Sequence, residues 1–269
     1  MIYEKIGLDK DDENVYLEVY KADALGARIC DALLVIPGGG YEFCSDREGE
    51  PIALSFLAKG INTFVLHYSV GEKAKFPRPL IEVSKAMKYI KDNAAKYNID
   101  PERVFVTGFS AGGHLCASLG TLWHTKEIYD EIDMPYGYNK PKAVIPIYPV
   151  ISGIVKGTHM GSFYNILGTN TPTKEELEKY SLEKYVDEKT VPMFLVHTAE
   201  DSLVSVRNSL VMAQALTDAG ISYELHIYQE GVHGIALANK ITSCGQPSLD
   251  KPNVAKWVDI AYEWMENIK

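Results

Sequence analysis

Cysteine is scarce in this chain of 269 residues: there are four, at 30, 44, 116 and 244. None forms a C-x-x-C pair and none has histidines at metal-ligand spacing, which excludes a disulfide framework and a structural zinc site. The thiols read as reduced and at least partly buried, and no metal or organic cofactor is implied. Positive charge is short as well, with 27 Lys and Arg against 36 Asp and Glu and a formal net charge of −9. Binding to a phosphate backbone rests on clustered Lys and Arg, so nucleic acid is not an expected partner. No apolar run is long enough to span a bilayer, and the opening residues show no basic start followed by an apolar stretch. A cytoplasmic protein without membrane association is the expectation. Repeats, low-complexity tracts and Pro/Gly linkers are lacking too, so residues 1–269 read as one domain.

What is present is an ordinary globular composition, 46% hydrophobic and 23% charged, sufficient for a packed core. Strand-like and helix-like runs alternate. Residues 15–20 alternate as an edge strand would, 32–36 form a short buried run, and 61–68, 103–107, 143–148, 193–197 and 223–228 follow as further strands. Helical patterns fall at 51–59 (stopped by Gly60), 78–97, 114–123, 204–219 (stopped by Gly220) and 253–268. This rhythm specifies a mostly parallel central sheet with helices on both faces, a three-layer αβα sandwich. The apolar face of the last helix is expected to pack on that sheet rather than form a dimer seam, and a homo-oligomer is left open. Residues 152–191 break the rhythm and read as an irregular excursion over the sheet, with a short helix at 174–179.

In an open α/β sheet the ligand sits beyond the carboxyl ends of the strands, and four such positions carry chemistry. Gly108-Phe109-Ser110-Ala111-Gly112 follows the strand at 103–107 and reads as a nucleophile elbow, with Ser110 on a strained strand-to-helix turn. Pro37-Gly38-Gly39-Gly40-Tyr41 follows the strand at 32–36 and offers backbone N–H groups to an oxygen that becomes negative; Ala111 adds another. Asp201, after the strand at 193–197, can accept the Nδ1 proton of a histidine and is preferred over its neighbour Glu200. Among the seven histidines, His233 lies in the last such loop, between Gly231 and Gly234, and completes the chain order Ser…Asp…His. His67 and His197 read as core or supporting residues, His226 alternates on a strand, His114 belongs to the elbow helix, and His124 and His159 have no supporting context. Tyr41 and Tyr148 are expected to touch substrate, with Phe43 and Tyr164 as further candidates for a pocket wall.

Together with Arg47-Glu48-Gly49-Glu50-Pro51, these motifs resemble the α/β-hydrolase superfamily, in its esterase/lipase group. The resemblance is nearest to bacterial acetyl-xylan-esterase-like enzymes acting on acylated sugars, which carry a Gly-Gly-Gly loop after the third strand. It departs from the hormone-sensitive-lipase-like branch, because Pro37 stands where that branch has His and only 31 residues precede the strand at 32–36, leaving no room for a helical cap. By that similarity Ser110 is the nucleophile, His233 the general base and Asp201 its orienter, with Gly39, Gly40 and Ala111 as oxyanion donors. The expected function is a serine carboxylesterase cleaving short-acyl, notably acetyl, esters of sugars or other small polar alcohols. Two alternatives are a prolyl-oligopeptidase-like serine peptidase and a catalytically silent hydrolase-fold binding protein.

Overall fold

A computed structural model describes residues 1–23 and 28–268. Its strands are β1 (Ile2–Gly7), β2 (Tyr16–Lys21), β3 (Cys30–Ile36), β4 (Asn62–His67), β5 (Ile99–Phe109), β6 (Val144–Ile147), β7 (Met193–Thr198) and β8 (Tyr223–Tyr228). They form one sheet in the order β1-β2-β4-β3-β5-β6-β7-β8. The β1/β2 and β2/β4 pairs are antiparallel and every other pair is parallel.

Alternation along the strands explains the two cores. Ala32, Leu34 and Ile36 face one side with Val104, Val106, Val144 and Leu195; Leu33 and Val35 face the other with Phe105, Ile145, Phe194 and Val196. The helices, in chain order, are α1 (Glu50–Leu57), α2 (Arg78–Asp92), α3 (Ala94–Tyr97), α4 (Ala111–Leu122), α5 (Lys126–Glu131), α6 (Met160–Leu167), α7 (Lys174–Lys179), α8 (Arg207–Asp218), α9 (Pro252–Ala255) and α10 (Trp257–Asn267). Residues of α2, α4 and α8 fill the first core, and those of α1 and α10 the second. This is the expected three-layer α/β arrangement.

Several boundaries differ from the sequence reading, each for a local reason. The strand near 15–20 is not an edge strand, because Ile2–Gly7 pairs outside it. That outer strand alternates between exposed and half-buried positions, so its apolar signal is weak. The helix expected over 78–97 breaks at Asn93, whose side-chain amide donates to the Tyr89 carbonyl, and the chain then turns at Asn98 with φ +51°. The helix expected from 204 begins at Arg207, since the N–H groups of Leu203 and Val204 are taken by Asp201 Oδ1. The last helix is interrupted at Lys256, and its residues Trp257, Val258, Ala261 and Met265 are buried on the sheet. Within 152–191 the helix at 174–179 is present, opened by a reciprocal Thr173–Glu176 cap, and a second helix, α6, precedes it. Among the described residues no helix is long and apolar enough to cross a membrane.

Candidate active site

Ser110 stands at the tip of β5 with φ +54° and ψ −115°, a backbone conformation a non-glycine residue adopts only under constraint from its surroundings. The constraint is close packing of the turn. A Cβ on Gly108 would lie 2.2 Å from the Gly112 carbonyl oxygen, and one on Gly112 would lie 2.3 Å from those of Ile36 and Pro37. The elbow is therefore wedged against the end of β3, which brings the three-glycine loop beside Ser110.

In that loop Gly39 adopts φ +122°, and a Cβ there would sit 2.1 Å from the Phe43 carbonyl oxygen. The Gly38 N–H donates to Glu48 Oε2 at 2.9 Å. Among the described residues no hydrogen bond uses the N–H of Gly39, Gly40 or Ala111. Three expected oxyanion donors thus remain available, while the neighbouring donor is occupied by a carboxylate.

The loops after β7 and β8 bring the other two side chains to Ser110. His233 Nε2 lies 2.8 Å from Ser110 Oγ, and His233 Nδ1 lies 2.6 Å from Asp201 Oδ2. Glu200 is exposed and reaches only the Gly231 N–H, so the structure brings Asp201 and not Glu200 to the imidazole. Burial disfavours the Asp201 charge, but hydrogen bonding to His197 and His233, the field of His233 and the Val204 N–H outweigh it. The carboxyl is held well below the usual carboxylate range. The 2.6 Å contact is the stronger of its two imidazole contacts. His197 Nε2 donates to the Val204 carbonyl at 2.9 Å and lies 3.5 Å from Asp201, while its Nδ1 accepts from Ser209. With Asp201 ionised, His233 carries its proton on Nδ1 and Nε2 accepts from the Ser110 hydroxyl.

Tyr41 and Tyr148 are not on the wall of the site; the structure buries both beneath it. Tyr41, at φ +60°, donates through its hydroxyl to His114 Nδ1, and the Gly71 N–H donates to its carbonyl. The His114 Nε2 proton goes to the Tyr180 carbonyl at 3.0 Å, which fixes Nδ1 as the acceptor. Full burial pushes the His114 pKa down to about 4. Tyr148 donates to Glu48 Oε1 at 2.7 Å, accepts from the Ala236 N–H, and sets its ring edge-on to His233 at 5.1 Å between centroids. Phe43, by contrast, is exposed in the glycine loop.

Two supporting residues and one rim residue were invisible as such in the sequence. Arg47 donates to the carbonyls of Gly234 and Thr242 and so fastens the His233 loop, while adjacent Glu48 fastens the glycine loop. Their only sequence signal is the Arg47-Glu48-Gly49 motif; the Arg47 partners lie 187 and 195 residues along the chain, and those of Glu48 lie 10 and 100 residues away. His159, at the start of α6, places its Cε1 3.4 Å from where a Gly40 Cβ would stand, and it lies near enough to His233 to feel its charge. Asn165 of the same helix donates to the Gly40 carbonyl at 2.9 Å.

A continuous hydrogen-bonded chain from carboxylate to imidazole to hydroxyl, beside uncommitted backbone donors, is equipped for nucleophilic acyl transfer. Comparison with known proteins agrees with this chemistry. Residues 17–216 match the family model described as BD-FAE. The chain belongs to that family. It is an esterase-like α/β hydrolase. It is similar to an endo-1,4-beta-xylanase B from Butyrivibrio fibrisolvens (42% identity over 214 residues, 78% of this chain and 33% of that protein). It is also similar to an acetylxylan esterase from Xylanibacter ruminicola (32% identity, 76% of this chain and 40% of that protein). The chain thus spans only a third to two-fifths of these relatives. Among solved structures it resembles MGS-M1, an α/β hydrolase from a deep-sea metagenome library (38% identity, TM-score 0.81, covering 100% of this chain and 98% of that one). An acetyl ester-xyloside bifunctional hydrolase from Caldicellulosiruptor lactoaceticus aligns equally well (34% identity, TM-score 0.82, 98% and 96% covered).

Proposed function

We propose that the protein is a serine carboxylesterase that removes short acyl groups, chiefly acetyl, from sugars or other small polar alcohols. The observation that carries this reading is the Asp201–His233–Ser110 hydrogen-bonded chain ending beside the free N–H groups of Gly39, Gly40 and Ala111. His233 takes the Ser110 proton as Oγ attacks the ester carbonyl. The three amides receive the developing oxyanion, and His233 then gives the proton to the leaving alcohol oxygen. Water attacks the acyl-enzyme by the same route, returning Ser110 and releasing the carboxylic acid. Asp201, ionised throughout the neutral range, keeps the imidazole in the required tautomer and stabilises the imidazolium. Each oxyanion donor in such sites contributes about 2.7–4 kcal/mol of transition-state stabilisation.

The choice of acyl and alcohol rests on the relatives: an acetylxylan esterase is similar to this chain in sequence, and an acetyl ester-xyloside bifunctional hydrolase is similar in both sequence and architecture. The test is a panel of acetylated xylo-oligosaccharides, aryl esters of increasing acyl length and proline-containing peptide amides. The expected result is highest kcat/KM on acetyl esters with decline beyond butyryl and no amide cleavage. Preference for long acyl chains or for the peptide amides would contradict the reading.

A further inference from the structure

His159 is an ionisable side chain beside the site that the mechanism above does not use. It caps α6: the Ser162 N–H and hydroxyl both lie within reach of His159 Nδ1, at 3.3 and 2.9 Å. An amide N–H can only donate, so Nδ1 is the acceptor and the ring proton is on Nε2. Among the described residues that Nε2–H has no hydrogen-bond partner, although the ring is half-buried. The cap thus holds one edge of the ring in place and leaves the other edge as a donor open to solvent or substrate.

The location of that donor limits what it can meet. The ring packs against Gly40, one of the three oxyanion glycines, and Asn165 on the same helix holds the Gly40 carbonyl. His233 is close enough for its charge to act on His159, and burial together with that charge outweighs the opposing Glu42 carboxylate and lowers the His159 pKa, favouring the neutral ring. During turnover the carbonyl oxygen points at the glycine amides, and the leaving oxygen must come within hydrogen-bond reach of His233 Nε2 to receive its proton. A side chain packed on Gly40 and within the field of His233 therefore borders the space that the alcohol half of the ester enters.

We infer that His159 is a specificity-determining residue whose Nε2–H donates to an oxygen of the alcohol half of the substrate, a hydroxyl or ring oxygen beside the scissile ester. The inference rests on the serine esterase reading and adds the selection of polyhydroxylated alcohols over simple ones. When bound substrate covers this solvent-accessible donor, an alcohol without such an oxygen strips its water and leaves it unpaired, which discriminates against that alcohol, as sites built to hydrogen-bond a substrate hydroxyl do.

The test compares wild type with His159→Asn and His159→Ala on an acetylated xylo-oligosaccharide and on 4-nitrophenyl acetate, whose leaving group has no neighbouring hydroxyl. Asparagine keeps an acceptor for the Ser162 N–H and so preserves the α6 cap, but its shorter side chain cannot place its own amide N–H where the imidazole Nε2–H stands. In both variants kcat/KM for the sugar acetate is expected to fall roughly 10- to 100-fold, mainly through KM, with the aryl acetate changed less than about threefold. Equal losses on both substrates, or an unaltered sugar acetate, overturn the assignment while leaving the serine mechanism standing. A wild-type enzyme that hydrolyses neither ester and takes no fluorophosphonate label overturns both.

Discussion

At the scale of single residues, Ser110, Asp201 and His233 each lie in a loop that follows a strand, where a sheet of this kind gathers its chemistry. The structure places them within hydrogen-bond distance of one another. Aromatics at the same strand ends were not separable by sequence. Tyr41 and Tyr148 look like Phe43 in composition and position, yet only Phe43 is exposed; the two tyrosines are drawn inward by partners at His114 and Glu48. His159 carried no signal at all, since its role depends on where a short helix in an irregular segment comes to rest. His114 makes its own prediction. In the unfolded chain its imidazole titrates near 6.5 and in the fold near 4, so between these values the unfolded state binds more protons. Its contribution to stability is full above pH 6.5 and lost as the pH falls towards 4, by about 3 kcal/mol. Urea denaturation of wild type should therefore weaken between pH 7 and pH 4 by about that much more than denaturation of His114→Gln. Equal pH slopes would show that the ring is not held neutral.

At the scale of elements, the alternation of buried strands and amphipathic helices was legible because periodicity is a local property. The outer strand Ile2–Gly7 and the breaks at Asn93 and Lys256 were not, since side-chain contacts and edge position decide them. Least visible was the short turn at 46–48 that ties two catalytic loops together. Arg47 reaches 187 and 195 residues along the chain to the carbonyls of Gly234 and Thr242, and no local pattern encodes such partners. Arg47→Met keeps the aliphatic stem and removes both charge-assisted bonds, each typically worth about 1.5–3 kcal/mol. The His233 loop then loses its clamp, and turnover of an aryl acetate is expected to fall roughly tenfold or more, with the circular dichroism spectrum unchanged. Full activity in that variant would mean that the loop is positioned by Tyr148 and Trp257 alone, through their bonds to Ala236.

At the scale of the whole molecule, the sheet order places β3, β5, β7 and β8 so that four separate loops converge on one end of the sheet. The 152–191 segment braces that convergence from above. Asn165 holds Gly40, and the Gly157 carbonyl accepts from Ser205 just beyond Asp201. A change in this segment can therefore alter the site without touching Ser110, which is how one fold accommodates different alcohols. Turnover by the proposed route depends on a Ser110 hydroxyl activated by His233. Its most direct test is intact-mass and peptide mapping after treatment with a fluorophosphonate probe, alongside turnover of an aryl acetate by Ser110→Ala. One adduct on the Ser110 peptide of the wild type, with no label and a roughly million-fold lower turnover in the variant, is the predicted result. Undiminished turnover by a purified, folded Ser110→Ala protein would contradict it.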